Sequence, residues 1–218
     1  MTDPADPTPV PPDLALQRLR EGNQRFIWGT SSVVSQGWRP GLASGQAPMA
    51  VILGCSDSRA PAELVFDQGL GDLFVIRVAG NVVAPSGIGS VEFAAAQFGT
   101  RLVVVMGHTQ CGAVGATVRA IEAGNAPESK NLRAITDRIR PHIEGIISGT
   151  AVPSSPAVMD RQALLRKAIR ANILASVAQL RYGSPLLEQL VASGQLLVVG
   201  AEYVLETGQV DFFEVPHP

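Results

Sequence analysis

Two short stretches carry residue types that can do chemistry together. The first is Cys55-Ser56-Asp57-Ser58-Arg59 and the second is His108-Thr109-Gln110-Cys111-Gly112. The chain has only two cysteines, one in each stretch. Cys55, His108 and Cys111 form a Cys2His set, which zinc accepts readily, and three protein ligands leave a fourth position for water. Asp57 sets a carboxylate beside them, with the cation Arg59 two residues on. On ligand types alone a second reading stands beside the metal site: two buried free cysteines and one hydrogen-bonded core histidine.

The elements that must position these residues are legible around them. Met49 to Gly54 and Leu102 to Gly107 are apolar runs that lead directly into Cys55 and His108. Runs rich in β-branched residues suit strands of a parallel sheet buried on both faces. Both candidate ligand groups then lie at C-terminal strand ends, where open α/β sheets form their sites. Further strands are expected at 73–78, at 196–200 and, after the Thr207-Gly208-Gln209 turn, at 210–215 as an antiparallel edge. The helices expected are 14–27 (capped by Asp13, with Leu14, Leu16, Leu19, Phe26 and Ile27 on its apolar face, ended by Gly29), 61–66, 90–98 after a loop at 80–89, 112–123, 131–147 broken near Pro141, 159–182 with Leu164, Leu165, Ala168, Ile169, Ile173, Val177 and Leu180 on one side, and 186–192. The βα alternation predicts an α/β fold, a mostly parallel sheet in the order 2-1-3-4 with a C-terminal antiparallel edge strand, flanked by helices. In that order strands one and three are neighbours, so Cys55 and His108 emerge side by side. Residues 1–12, rich in proline, read as a flexible tail, and 13–218 as a single domain with an N-terminal helical arm.

The paired motifs, Cys-x-Asp-x-Arg and then His-x-x-Cys-Gly, resemble those of the β-class carbonic anhydrases. The resemblance extends to Phe66–Asn81, Ser90–Ala94, Gly200–Tyr203 and Thr207-Gly208. It implies a zinc enzyme, one ion per subunit held by Cys55, His108 and Cys111, that reversibly hydrates carbon dioxide to bicarbonate and a proton through a zinc-bound hydroxide. It implies catalytic roles for Asp57 and Arg59. Asp57 either orients the hydroxide or closes the site as a fourth ligand, and a bidentate Arg59 would hold it off the metal. Substrate-binding candidates are Gln68, Phe66, Val82 and Gly112; Phe93 reads as core. Ile52 stands where some bacterial members have a tryptophan beside an inhibitory bicarbonate, whereas Arg77 and Tyr203 match other parts of that site. The family further implies a homodimer or homotetramer in which the N-terminal helix reaches across to a partner subunit.

Composition narrows the alternatives. A formal charge of −2 without a basic block argues against nucleic acid. The longest apolar runs fall short of a membrane span, and no basic-then-apolar leader precedes them. Two cysteines needed as thiolates suit a reducing cytoplasm. Two other functions share the motifs: hydrolysis of another small molecule such as carbon disulfide, and a zinc-stabilised, non-catalytic bicarbonate-binding or scaffold protein. A dinucleotide site fails on the first turn, Gly-Cys-Ser-Asp-Ser-Arg, which is not a glycine-rich phosphate loop. His142 and His217 are expected at the surface.

Overall fold

A computed structural model of the chain describes residues 9–32, 40–125, 127, 129–150 and 161–213. Five strands form one sheet: β1 (Ala50–Gly54), β2 (Leu73–Arg77), β3 (Leu102–His108), β4 (Leu197–Tyr203) and β5 (Val210–Phe213), in the order β2-β1-β3-β4-β5. The first four are mutually parallel, and β5 runs antiparallel to β4. The expected order and edge strand are therefore observed.

The apolar runs alternate between two cores, one on each face of the sheet. Val51, Leu53, Val103 and Val105 face the larger core. That core is closed by α3 (Pro85–Gln97), α4 (Gly112–Glu122), α5 (Lys130–Thr150), α6 (Arg161–Tyr182) and α7 (Pro185–Ala192). Ala50, Ile52, Leu102, Val104 and Met106 face a smaller core under α1 (Pro12–Ile27) and α2 (Ala62–Val65).

Several expected boundaries move, each for a local reason. The helix expected at 90–98 starts at Pro85, because proline's fixed φ and missing N–H suit the first helical turn. The loop expected over 80–89 is correspondingly shortened. Pro141 does not break α5. It lies on the exposed face, where water can satisfy the carbonyl left free, while Ile139 and Ile143 beside it anchor the helix in the core. Helix α1 is preceded by Pro11 rather than capped by Asp13, which sits in its first turn near the positive end of the helix dipole. Leu14, expected on the buried face, is 40% exposed, and Ala15, Leu16, Leu19, Gly22 and Asn23 are buried instead. Gly29 does end the helix, with φ at 67°. Of the expected tail, residues 1–8 lie outside the described residues, and Val10 packs against the smaller core.

The N-terminal helix, expected to reach a partner subunit, packs here on its own chain. A Cβ at Gly22 would overlap the Phe66 carbonyl oxygen, so glycine is what lets α1 lie directly on the turn after α2. Next to it, buried Asn23 donates Nδ2 to the carbonyls of Val65 (3.1 Å) and Gly208 (2.9 Å) and accepts from the Val210 N–H (2.9 Å). One side chain thus ties α1 to α2 and β5. At the helix end, buried Asp67 accepts from Arg25 Nε (2.5 Å) and the Ser32 N–H (2.8 Å).

Replacing Asn23 with alanine leaves those buried backbone groups without their partner and is expected to cost about 3 kcal/mol. Chemical denaturation checks this, and a loss below about 1 kcal/mol would mean that the neighbours re-pair.

Candidate metal centre

Parallel neighbours deliver their C-terminal ends to the same edge, and β1 and β3 are paired with Gly54 opposite Met106. Cys55 follows the last residue of β1, and His108 is the last residue of β3. Gln110, in the left-handed region at φ 58°, turns the chain sharply enough to bring back Cys111, the residue before α4. One ligand atom each from Cys55, His108 and Cys111 lie within 4.8 Å of one another. All three residues are buried, His108 completely.

The histidine is set for ligation. Its Nδ1 lies 2.8 Å from the Thr109 carbonyl oxygen, which can only accept, so Nδ1 carries the hydrogen. The lone pair is then on Nε2, which is buried and among the described residues has no hydrogen-bond partner. An unpartnered imidazole nitrogen beside two sulfurs is the donor set a soft divalent ion requires. The thiols support the same reading. Cys55 is pushed down to about 4, chiefly because Cys111 donates to it, against the opposing effect of burial and with help from His108 and the Gly80 and Asp57 N–H groups. Cys111, the donor of that pair, is pushed up by this bond, by burial and by the Cys55 charge. Burial disfavours the imidazolium of His108, but the facing Cys55 sulfur and the Thr109 carbonyl outweigh it and raise its pKa.

Asp57 and Arg59 form a planar fork. Arg59 Nε is 2.9 Å from Oδ1 and Nη2 is 2.8 Å from Oδ2, and the Arg59 N–H adds a third bond to Oδ1 at 3.0 Å. These bonds hold the Asp57 carboxyl far below the usual carboxylate range. Its Oδ2 is 3.7 Å from His108 Nε2. The loop itself is held by Arg77, whose guanidinium donates to the carbonyls of Cys55 (3.1 Å) and Asp57 (2.6 Å). The second loop is held by Glu206, which accepts from Thr109 Oγ1 (2.9 Å) and Gln110 Nε2 (2.7 Å).

The other expected site residues divide. Val82 shares a core cluster with Cys55 and Cys111, and Gly112 opens α4 beside Cys111. Phe66 and Gln68 lie apart from the cysteines of their own chain. Phe66 is fully buried in the smaller core on the other face of the sheet, 5.8 Å from the ring of Phe212. Gln68 is buried beside it and donates Nε2 to the Phe66 carbonyl at 2.7 Å, under α1. Phe93, expected in the core, is 52% exposed, because it lies on the outward side of α3. His142 is half-buried, and His217 lies outside the described residues.

Residues the sequence reading passed over also converge here. The Gly80 N–H donates to Cys55 Sγ at 3.3 Å, and Asn172 and Ser176 on α6 bond the carbonyls of Gly80 and Asn81. The available signal was two amide and hydroxyl side chains, one helical turn apart, inside the apolar stripe of the 159–182 helix.

A family profile described as carbonic anhydrase matches residues 50–210, a span that holds every residue of the cluster. The chain belongs to the carbonic anhydrase family. Carbonic anhydrase 2 of Mycobacterium tuberculosis is 38% identical over 200 residues, 91% of each chain. The carbonic anhydrase of Mycolicibacterium smegmatis is 39% identical over 202 residues, 92% of each chain. The fold is that of the β class: a tetrameric β-carbonic anhydrase of Sordaria macrospora superposes with a TM-score of 0.70 at 22% identity, over 92% of this chain and 95% of that one.

If the cluster binds a divalent ion, Cys55 is already ionised at neutral pH and His108 offers the lone pair of Nε2, whereas Cys111, whose pKa is raised, must give up its proton. Uptake is therefore expected to release about one proton per ion and to weaken as pH falls. Calorimetric zinc titration in buffers of different ionisation enthalpy measures the number, and a pH-independent affinity would contradict the ligand assignment.

Proposed function

We propose that this carbonic anhydrase is a zinc enzyme that reversibly hydrates carbon dioxide to bicarbonate and a proton, with Cys55, His108 and Cys111 holding one ion per chain. The observation that carries the metal reading is the buried, unpartnered Nε2 of His108 facing two cysteines. When bound, the ion would supply a water made acidic enough to serve as the nucleophile.

The chain's own residues do the rest. Asp57, kept ionised by Arg59, can only accept hydrogen bonds, so it orients the attacking oxygen through that oxygen's hydrogen. Arg59 engages both carboxylate oxygens and so keeps Asp57 from becoming a fourth ligand, which gives an open resting site. Val82 offers carbon dioxide an apolar wall beside the cysteines, and Gly112 leaves the approach free of a side chain. The two thiolates cancel a dication's formal charge and shift its acidifying power to higher pH than three neutral imidazoles would. Both cysteines must stay reduced, which assigns the protein to the cytoplasm. Among the described residues no helix is long and apolar enough to cross a membrane.

The chain works as a homo-oligomer, a dimer or tetramer. Support comes from an aromatic trio next to the β2 edge of the sheet: Phe74, Phe93 and Phe98, with ring centroids 5.5 to 6.4 Å apart. Half-exposed Phe93 and Leu70, 63% exposed, present apolar surface of the kind subunit contacts bury. The Sordaria macrospora relative is described as tetrameric.

Stopped-flow hydration of carbon dioxide by zinc-loaded protein is expected to rise from neutral to alkaline pH; no turnover at any pH with zinc bound would refute the assignment. In the same assay Arg59→Ala is expected to lower turnover on the order of a hundredfold, since misplacing a catalytic group costs that much. Its zinc content should stay at one ion per chain, and loss of zinc would overturn the division of labour between Asp57 and Arg59. Sedimentation is expected to give a dimer or larger for the parent chain and a shift toward monomer for Phe93→Asp; an unchanged assembly would exclude the aromatic trio from the interface.

A further inference from the structure

Helix α6 carries none of the motif residues, yet two of its side chains reach the turn that touches a cysteine. Asn172 is 1% exposed and donates Nδ2 to the Gly80 carbonyl at 2.8 Å. Ser176, one helical turn on and 3% exposed, donates Oγ to the Asn81 carbonyl at 3.0 Å. Between those two carbonyls the backbone is unusual. Gly80 has φ 68° and ψ 20°, and Asn81 has φ 45°, so two consecutive residues sit in the left-handed region. Such a pair persists only when its surroundings over-determine it. Gly80 is also hemmed in, since a Cβ there would come within 2.9 Å of Ile139 Cδ1 and 3.1 Å of Ala113 Cβ. The product of this conformation is one N–H aimed at Cys55 Sγ.

We propose that Asn172 and Ser176 are positioning residues for the metal centre, which fix the Gly80-Asn81 turn so that the Gly80 N–H points at the Cys55 sulfur. Such a bond fixes the rotamer of a thiolate ligand and withdraws charge from its sulfur, which tunes how tightly and in what field the ion is held. Two side chains are used because a left-handed pair has two carbonyls to hold, and a buried carbonyl without a partner would pull the turn toward another conformation. The loop bearing Cys55 is thereby referenced to α6, and β1 alone need not fix its sulfur. The inference rests on Cys55 being a metal ligand.

The test compares the full chain with Asn172→Ala and Ser176→Ala, the second being the milder change should the first fail to fold. The proteins are loaded with zinc for release to a chelator and with cobalt(II) for its sulfur-to-metal absorption bands. Expected are zinc release about tenfold faster than in the parent, as for other outer-shell partners, and shifted cobalt bands. Lowered unfolding midpoints with release rate and bands unchanged would show a purely structural role and overturn the proposal. A parent chain that takes up neither ion would instead overturn the metal reading itself, and this inference with it.

Discussion

Two cysteines and a histidine are buried against one another at the end of a sheet, and their charge has no apolar solution. Cys55 is acidified by its neighbours, Cys111 is pushed the other way by that same charge, and the imidazole keeps an unshared lone pair in a place water does not reach. Buried polar groups are tolerated when they are hydrogen-bonded or coordinate metals. A divalent cation would satisfy all three groups at once, and the surrounding chain keeps them converged.

That convergence is spread over distant parts of the chain. Arg77 on β2 clamps the carbonyls on either side of the first loop, Glu206 after β4 clamps the second loop, and α6 holds the turn beside Cys55. Loops at strand ends would otherwise be the mobile part of an α/β fold. Charge-assisted and buried hydrogen bonds from three flanking elements make them as definite as the strands. Arg59 repeats the device on Asp57, trading a flexible carboxylate for a fixed acceptor.

The two faces of the sheet divide the labour. The larger core carries Cys55, Cys111 and Val82 under α3 to α7, whereas the smaller core holds Phe66 and Tyr203 under α1. This division explains why Phe66 and Gln68 lie away from the cysteines of their own chain. They follow the first motif closely in sequence, but α2 carries the chain to the opposite face before β2 begins, and nothing in residue spacing reports on which face a short helix lands.

The sequence by itself determined the parallel sheet, its order and the convergence of Cys55, His108 and Cys111. Continuous β-branched runs, glycine before Cys55 and after Cys111, and alternating strands and helices are local signals, and each follows from backbone sterics and burial. The Asp57–Arg59 pair was legible for the same reason, because its two members are two residues apart. Tertiary structure decided what depends on contacts between remote segments. It set the tautomer of His108 through the Thr109 carbonyl, the N–H that Gly80 offers Cys55, the exposure of Phe93 and the seat of α1 on its own chain. Asn172 and Gly80 are far apart along the chain, and no periodicity relates them. Their meeting exists only because α6 packs over β3 and β4 and so passes the 79–81 turn, where the carbonyls of a left-handed turn need donors that the helix can supply.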